Sequence, residues 1–455
     1  MKKRWIVLMA FMALFAALGL VLPEAASWST EGEPIDYANV TWMITATIFV
    51  LMMTPGLSFF YGGMVRAKNL ISTMLQSFIA MGVISIIWVV FGFSLAFGDD
   101  LGGFIGNPAT YFMFKDVGMH VPVGTENLGS LGLSIPLVLY AMFQMKFAII
   151  TPSLITGSFA ERVRFSSYLV FMILFCIFVY CPLAHWTWHP NGFLNQMFVK
   201  DFAGGIVVHA SSGVAALAGA LFLGRRRSDG GPHRPANIPF VLLGAGLLWL
   251  GWFGFNGGSS LAADGIAIKA FLNTNTASAT AMIVWVVFDC LRGEKPSAMG
   301  AAIGAVVGLV AITPSAGWVS VGQSICIAFI TAIICNLAVH WKNKTSVDDA
   351  LDVFPTHGVG GILGTILTGL FVYTATEISY FHSFINHILG VLIVVVYTFV
   401  VTYALYWLTN KMIPMRVSAK SETIGLDKSQ HNELYGVGML TDADTDRELA
   451  EYHEQ

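Results

Sequence analysis

The chain has 455 residues, of which 56% are hydrophobic and 11% charged, whereas about a quarter of the residues of a soluble domain are charged. Together with a mean hydropathy of +0.70, this composition excludes an ordinary soluble domain and indicates an all-α polytopic membrane protein. The net charge of −3 provides no basic surface for nucleic acid.

The first segment has the features of a secretory signal peptide. Basic residues are followed by an apolar run and then by Ala25, Ala26 and Ser27, which is the order found in a cleavable leader. We therefore expect residues 1–27 to be a signal peptide. An uncleaved additional helix is the alternative, and in both cases the next segment starts outside the cell.

Apolar runs of about 20 residues, long enough to cross a hydrocarbon core of about 30 Å, recur along the rest of the chain. They lie near 40–62, 71–98, 131–155, 166–185, 202–223, 238–257, 276–292, 298–314, 319–341, 353–373 and 384–410. The sequence thus predicts eleven transmembrane helices in a membrane domain over 28–412, followed by a cytoplasmic tail over 413–455.

The basic residues of the loops alternate in a way that predicts sidedness, because Lys and Arg concentrate on the cytoplasmic side. Every second connection carries them: Arg66, Lys68, Arg162, Arg164, Arg225, Arg226, Arg227, Arg234, Arg292, Lys295, Lys342 and Lys344. The opposite loops carry only Lys115, Lys200 and Lys269. We therefore expect the mature amino end outside and the carboxyl tail inside.

Two segments resemble each other although they belong to helices of opposite direction. "DFAGGIVVHASSG" begins at Asp201 and "DVFPTHGVGG" begins at Asp352, and each places a histidine, His209 or His357, four residues before a glycine. Matching pieces that run in opposite directions are typical of transporters built from inverted repeats. We expect an inverted repeat of five and five helices plus one extra helix.

Ionisable residues inside spans usually face a cavity or one another, so His209 and His357 are predicted to line a shared pore and to pass a proton between them. Asp201 and Asp352 are predicted to cap the amino ends of their helices, with an electrostatic role at a cation entrance as the alternative for Asp201. No metal site is predicted, because neither pore histidine has a carboxylate at ligand spacing or a second histidine four residues away. No other cofactor is expected.

Five stretches in order resemble the ammonium transporter family, which also contains the Rh proteins. They are "TPGLSFFYGGMVRAKN" (54–69), "FAERVRFSSY" (159–168), "DFAGGIVVH" (201–209), "GWFGFNGGS" (251–259) and "DVFPTHGVGGILG" (352–364). The likeness runs from about residue 40 to about 410 and is closer to the bacterial Amt branch. It implies ammonium uptake across the cytoplasmic (inner) membrane, a homotrimer with one pore per subunit, and a PII-type signal protein as a partner on the cytoplasmic side.

The resemblance also implies roles for individual residues. It places an outer cation site at Trp188, Ser259 and Phe143, a gate of stacked rings at Phe147 and Phe255, and the narrow pore at His209 and His357. A tryptophan face attracts a cation, a serine hydroxyl accepts a hydrogen bond from ammonium, and a dry channel below excludes intact ions. Potassium can enter such a mouth but has no proton to release.

Two residues depart from the family's usual pattern: His189 follows Trp188, and Lys146 lies between the two vestibule phenylalanines. Two alternative functions remain open, an ammonium sensor and a passive channel for ammonia or carbon dioxide of the Rh type. An enzyme is not expected, since no nucleophile and base occur at a recognisable spacing. The tail is also shorter than an ordinary output domain.

Overall fold

Long apolar helices form nearly the whole of the computed structural model, which describes residues 2–22, 26–125, 127–227, 233–372 and 379–436. The helices are α1 (Lys2–Val21), α2 (Tyr37–Met64), α3 (Ala67–Phe97), α4 (Leu137–Phe159), α5 (Phe165–Phe175, Cys176–Tyr180 and Cys181–Trp188), α6 (Phe193–Gln196), α7 (Gly205–Leu223), α8 (Ile238–Gly258), α9 (Gly265–Leu291), α10 (Ala298–Ile312), α11 (Val321–Asn343), α12 (Phe354–Val359 and Gly360–Phe371), α13 (Tyr380–Met412) and α14 (Ala419–Ile424). One short hairpin, β1 (Asp100–Leu101) and β2 (Ile105–Gly106), lies in the long connection between α3 and α4.

Among the described residues, nine helices are long and apolar enough to cross a membrane. Two further apolar helices coincide with predicted spans: α10 has only 15 residues, and α12 combines a six-residue π-helical turn with a 12-residue α-helix. The multi-pass helical architecture is therefore confirmed, and the count of eleven spans stays a prediction. The possible cleavage position at Ala25 and the tail beyond residue 436 lie outside the described residues.

The seventh predicted span starts much earlier than the hydropathy suggested. Helix α9 begins at Gly265, where Asp264 caps its amino end by accepting from the backbone N–H of Ala267. Its first half is rich in polar residues that the fold satisfies internally; the Asn273 amide, for example, donates to Ala316 and Val319 carbonyls at 2.8 Å. The predicted start near 276 is wrong because such paired polar groups lower the hydropathy without preventing burial.

Helix α5 runs the length of the bundle and joins its two ends. It starts beside the tail, where the Arg164 N–H donates to the Met415 carbonyl at 2.6 Å, and it ends at Trp188. We call the two ends the tail end and the Trp188 end.

The tail returns to pack on the bundle through hydrogen bonds to the start of α3. The Asp427 carboxylate accepts from the backbone N–H groups of Ile71 and Ser72 at 2.9 and 2.7 Å, and the Leu426 N–H donates to Asn69 at 2.8 Å. Burial raises the pKa of Asp427 to about 6, although these backbone donors act in the opposite direction. The described part of the tail is thus an integral piece of the tail end.

Candidate functional site

His209 and His357 meet inside the bundle. Nδ1 of His209 lies 3.3 Å from Nδ1 of His357, the ring centroids are 5.3 Å apart, and both residues are buried. One Nδ1 must donate and the other accept, so the neutral pair shares one hydrogen. The outer Nε2 of one ring is then a hydrogen-bond donor, and that of the other ring is an acceptor. The predicted meeting of these residues is present in the structure.

Local helix geometry presents both histidines to the same place. Each lies in a π-helical turn, Gly205–Ala210 or Phe354–Val359, that continues directly into an α-helix. Such wide turns occur mostly as single insertions and often at functional sites. The shared irregularity was not visible in the sequence match, and it strengthens the likeness of the two segments.

The glycine four residues after each histidine allows the other segment to approach. A Cβ on Gly213 would lie 2.0 Å from the Gly358 nitrogen, and a Cβ on Gly361 would lie 2.9 Å from Cβ of His209. The spacing His-x-x-x-Gly therefore works reciprocally, because each glycine makes room for the histidine segment of its partner. Small residues at close helix crossings are expected inside a membrane protein.

The space beside the histidines is a narrow apolar cavity. Apart from His209 and His357 its lining is entirely hydrophobic: Met53, Leu57, Phe60, Ile150, Leu154, Val208, Leu248, Trp252, Phe255 and Val306. The His209 ring also stacks on Trp252 at 5.2 Å between centroids. An ion without its hydration shell would find no counter-charge here, so its transfer is strongly disfavoured.

Two phenyl rings stack on the Trp188 side of the histidines. Phe147 and Phe255 stack with centroids 4.2 Å apart and planes inclined by 29°. The ring centroids of Phe255 and His209 are 5.9 Å apart. The stacked pair is therefore the layer between the mouth of the passage and the histidines.

Trp188, Ser259 and Phe143 each contact a residue of this stack. The Trp188 ring meets Phe147 edge to face at 5.8 Å, and its Nε1–H donates to the Asp201 carbonyl at 3.0 Å, which fixes its orientation. The Ser259 hydroxyl donates to the Phe255 carbonyl at 2.8 Å, so its oxygen keeps lone pairs free to accept from a donor. Phe143 packs on Gly258, where an added Cβ would lie 2.7 Å from the ring.

Asp201 caps the first π-helical turn more completely than an ordinary cap does. Its two carboxylate oxygens accept from the N–H groups of Gly204, Gly205, Ile206 and Val207 at 2.6 to 3.2 Å. Both oxygens are therefore occupied in holding the backbone. The capping prediction agrees with this geometry, and the backbone carbonyl of Asp201 separately accepts from the Trp188 indole.

Asp352 does not cap its helix, and that prediction is wrong. The N–H of Phe354 is instead accepted by Asp349 at 2.7 Å, while Asp352 has a left-handed backbone with φ of +57° and pairs with Lys342. Burial raises the pKa of Asp349 to about 6, which Lys342 counteracts. The chain turns at Asp352, so only a residue before the turn faces the helix end.

Lys146 does not face the pore. It is not part of the cavity lining, it is buried, and its Nζ contacts the Met145 sulfur at 3.6 Å. Repulsion between two charges weakens as their distance grows, so Lys146 repels a cation in the cavity less than a lysine in its lining would.

The sequence reasoning missed a second histidine pair. His185 and His189 lie one helical turn apart at the end of α5, and together with Asp100 their ligand atoms come within 4.8 Å of one another. The His-x-x-x-His spacing was visible in the sequence, whereas the carboxylate comes from a distant loop and could not be placed beside it.

Comparisons with known proteins identify the family of this chain. Residues 41–435 match the model of the Ammonium Transporter Family. A putative ammonium transporter of Methanothermobacter thermautotrophicus is 43% identical over 413 residues, which are 88% of this chain and 98% of that protein. The ammonium transporter of Bacillus subtilis is 41% identical over 408 residues, again 88% and 98% of the two chains.

Solved structures share the fold. Saccharomyces cerevisiae Mep2 aligns with a TM-score of 0.77 and 33% identity over 85% of this chain and 88% of its own. A structure titled "Sensor Amt Protein" aligns with a TM-score of 0.79 and 28% identity over 87% and 98%. From the family match, the relatives and the fold together, this chain is a member of the ammonium transporter family.

Proposed function

We propose that the protein takes up ammonium by separating it into ammonia and a proton at the histidine pair. The observation that carries the proposal is the arrangement of His209 and His357, 3.3 Å apart in a cavity whose other lining is apolar. Such a passage accepts neutral ammonia and rejects a dehydrated ion. Potassium is excluded at this step because it cannot become neutral by releasing a proton.

Recruitment takes place at the mouth formed by Trp188, Ser259 and Phe143. The indole face attracts the cation, and the Ser259 oxygen, whose hydrogen is directed to the Phe255 carbonyl, accepts one of its N–H groups. Thermal displacement of Phe147 or Phe255 from their stack then opens the way to the cavity. The two rings thus serve as the gate.

The histidine pair conducts both the proton and the ammonia. The Nε2 that lacks a hydrogen accepts from the incoming species, and the shared Nδ1 hydrogen can shift between the rings. A proton taken up at one Nε2 is therefore released at the other. Uptake is electrogenic in this scheme, with ammonia and the proton travelling separately through one subunit.

The wider setting follows from family membership and from the loop charges. We place the Trp188 end outside the cell and the tail end in the cytoplasm, in the inner membrane, because the basic loops lie at the tail end. The active form is a homotrimer with a pore in each subunit. A PII-type protein regulates it from the cytoplasmic face, where the docked tail and the Arg-rich loops form the available surface.

An electrical measurement tests the proposal. Proteoliposomes on a solid-supported membrane should give a saturable current after an ammonium pulse and none after an equal potassium pulse, with net ammonia flux measured in parallel by an internal pH dye. Flux without current would identify a neutral gas channel. Binding of ammonium without either signal would identify a sensor with a closed pore.

Replacing Trp188 with leucine should weaken recruitment without blocking the pore. Loss of a cation–π contact of about 0.5–2 kcal/mol raises the half-saturating ammonium concentration about 2- to 30-fold. Concentration series of the same current measure this shift. Trp186→Leu is the matched control, since Trp186 belongs to the same helix but packs against Phe193 and Tyr397; an equal shift in both variants would remove Trp188 from the recruitment site.

A further inference from the structure

A compact group of potential metal ligands lies outside the pore, at the Trp188 end. The rings of His185 and His189 stack with centroids 4.3 Å apart, and Oδ1 of Asp100, in the β1 strand, lies 2.8 Å from Nε2 of His185. Both histidines are fully buried, while 21% of the Asp100 side chain is exposed. The group is thus enclosed on the protein side and accessible through one carboxylate.

The hydrogen bonds of the neutral His185 ring leave two hydrogen-bond acceptors, its own Nε2 and the Asp100 carboxylate, facing each other. Its Nδ1 lies 2.9 Å from the Ala96 carbonyl, and since a carbonyl only accepts, Nδ1 carries the hydrogen. In the neutral ring the lone pair of Nε2 therefore faces the Asp100 carboxylate. That contact is favourable only when a proton or a metal cation lies there.

His189 contributes a second buried ring nitrogen, Nε2, to this group. Its Nδ1 accepts from the Asn191 N–H at 3.1 Å, and its Nε2 has no hydrogen-bond partner in the described part of the chain. A buried polar atom left unpaired is destabilising, so a ligand for this nitrogen would stabilise the fold. The pore mechanism assigns no role to this atom.

We propose that Asp100, His185 and His189 bind a divalent transition-metal cation such as Zn²⁺. Two imidazoles and one carboxylate, with water from the open side as fourth ligand, are a donor set that zinc accepts. Ligand bonds of about 2 Å hold tetrahedral donors about 3.4 Å apart, so donor atoms that now lie up to 4.8 Å apart have to approach by up to about 1.4 Å. Because ring nitrogens bind a metal in the plane of the ring, the His189 ring also has to turn out of its stack on His185 so that both lone pairs meet at the ion.

Ligation by Nε2 of His189 requires the hydrogen of that ring to move to Nδ1. The Asn191 N–H then has to leave its long contact with Nδ1 and turn to water, which is possible because Asn191 is exposed. Occupation of the site would thus alter the turn that follows Trp188. The metal site would in this way influence the mouth without touching ammonium.

Direct metal binding tests the inference independently of transport. Tag-free full-length protein in detergent, stripped with a chelator, should bind about one Zn²⁺ per chain in calorimetry and elemental analysis, and Co²⁺ should give the visible absorption of a low-symmetry nitrogen–oxygen site. His189→Gln and Asp100→Asn should each weaken Zn²⁺ binding more than about tenfold, because even changes one shell further out cost 10–100-fold. His382→Gln, an exposed histidine bonded to Ser379, should bind as the unaltered chain does.

Thermal unfolding shows whether a variant is folded before its metal affinity is interpreted. Zn²⁺ should raise the unfolding midpoint of the unaltered protein and of His382→Gln, and should leave that of His189→Gln in place. A chain that binds no stoichiometric Zn²⁺, or a His189→Gln variant that is folded and retains the full affinity, would overturn the proposal. A change of the ammonium current by Zn²⁺ rests in addition on the proposed transport function, and its absence would leave the metal site standing.

Discussion

Replacement of both His209 and His357 by alanine is expected to reduce the ammonium-evoked current at least about tenfold. Among the described residues that line the cavity, these rings are the only titratable side chains, and each 1.4 kcal/mol added to the barrier slows passage about tenfold. Without them no acceptor receives the proton inside the apolar passage. The current and the ammonia flux on solid-supported membranes measure the loss separately.

The double variant distinguishes two roles of the histidines. If they carry only the proton, current disappears while ammonia flux persists; if they also assist release of ammonia, both fall. Full current in the double variant would exclude them from the mechanism. His387→Ala is the matched control, because His387 is equally buried but its ring contacts the Ser383 carbonyl and the Lys200 N–H, away from the cavity.

Changing Asp201 to asparagine is expected to destabilise the fold by several kcal/mol. Hydrogen bonds to a charged group contribute about 1.5–3 kcal/mol each, and the carboxylate accepts four of them within the buried turn that precedes His209. An amide keeps one oxygen acceptor, and its NH₂ group then faces N–H groups that need an acceptor. The unfolding midpoint in detergent should fall clearly, and transport should fall with it because the turn that carries His209 loses its cap.

Asp36→Asn provides the comparison for this change. Asp36 caps α2 with two backbone donors, Ala38 and Asn39, at an exposed position. Asparagine caps exposed helices about as well as aspartate, so this variant should unfold near the unaltered midpoint. Equal stability of the Asp201 and Asp36 variants would show that the buried cap contributes no more than an ordinary one.

Burial explains why the Asp201 variant should lose more stability than the Asp36 variant. It also explains why loss of the histidine pair should have a large effect on transport. In water each polar group finds a solvent partner, so its loss has a small effect. In the bundle the partner is supplied by a specific residue, and its removal leaves an unpaired group. The residues with the largest expected effects are therefore the buried polar ones, although most of the chain is apolar.

The local sequence pattern was sufficient to predict the helical membrane architecture and to identify the family. Apolar runs reveal spans because a helix must cross a layer of fixed thickness, and motifs of adjacent residues stay adjacent in any fold. The same reasoning identified His209 and His357 as partners from their equivalent positions in two similar segments. The predicted start of α9 was too late because polar residues lower the hydropathy of its first half. Their partners, such as Ala316, lie on another segment and could not be identified from the local pattern.

What the tertiary structure decided concerns contacts between segments distant in the chain. It selected Asp349 rather than Asp352 as the cap of α12, it directed Lys146 away from the cavity, and it brought Asp100 to His185 and His189. A helix pattern repeats over a few residues and specifies which side chains share a face. It contains no information on which loop packs against that face, and that choice depends on the packing of the whole bundle.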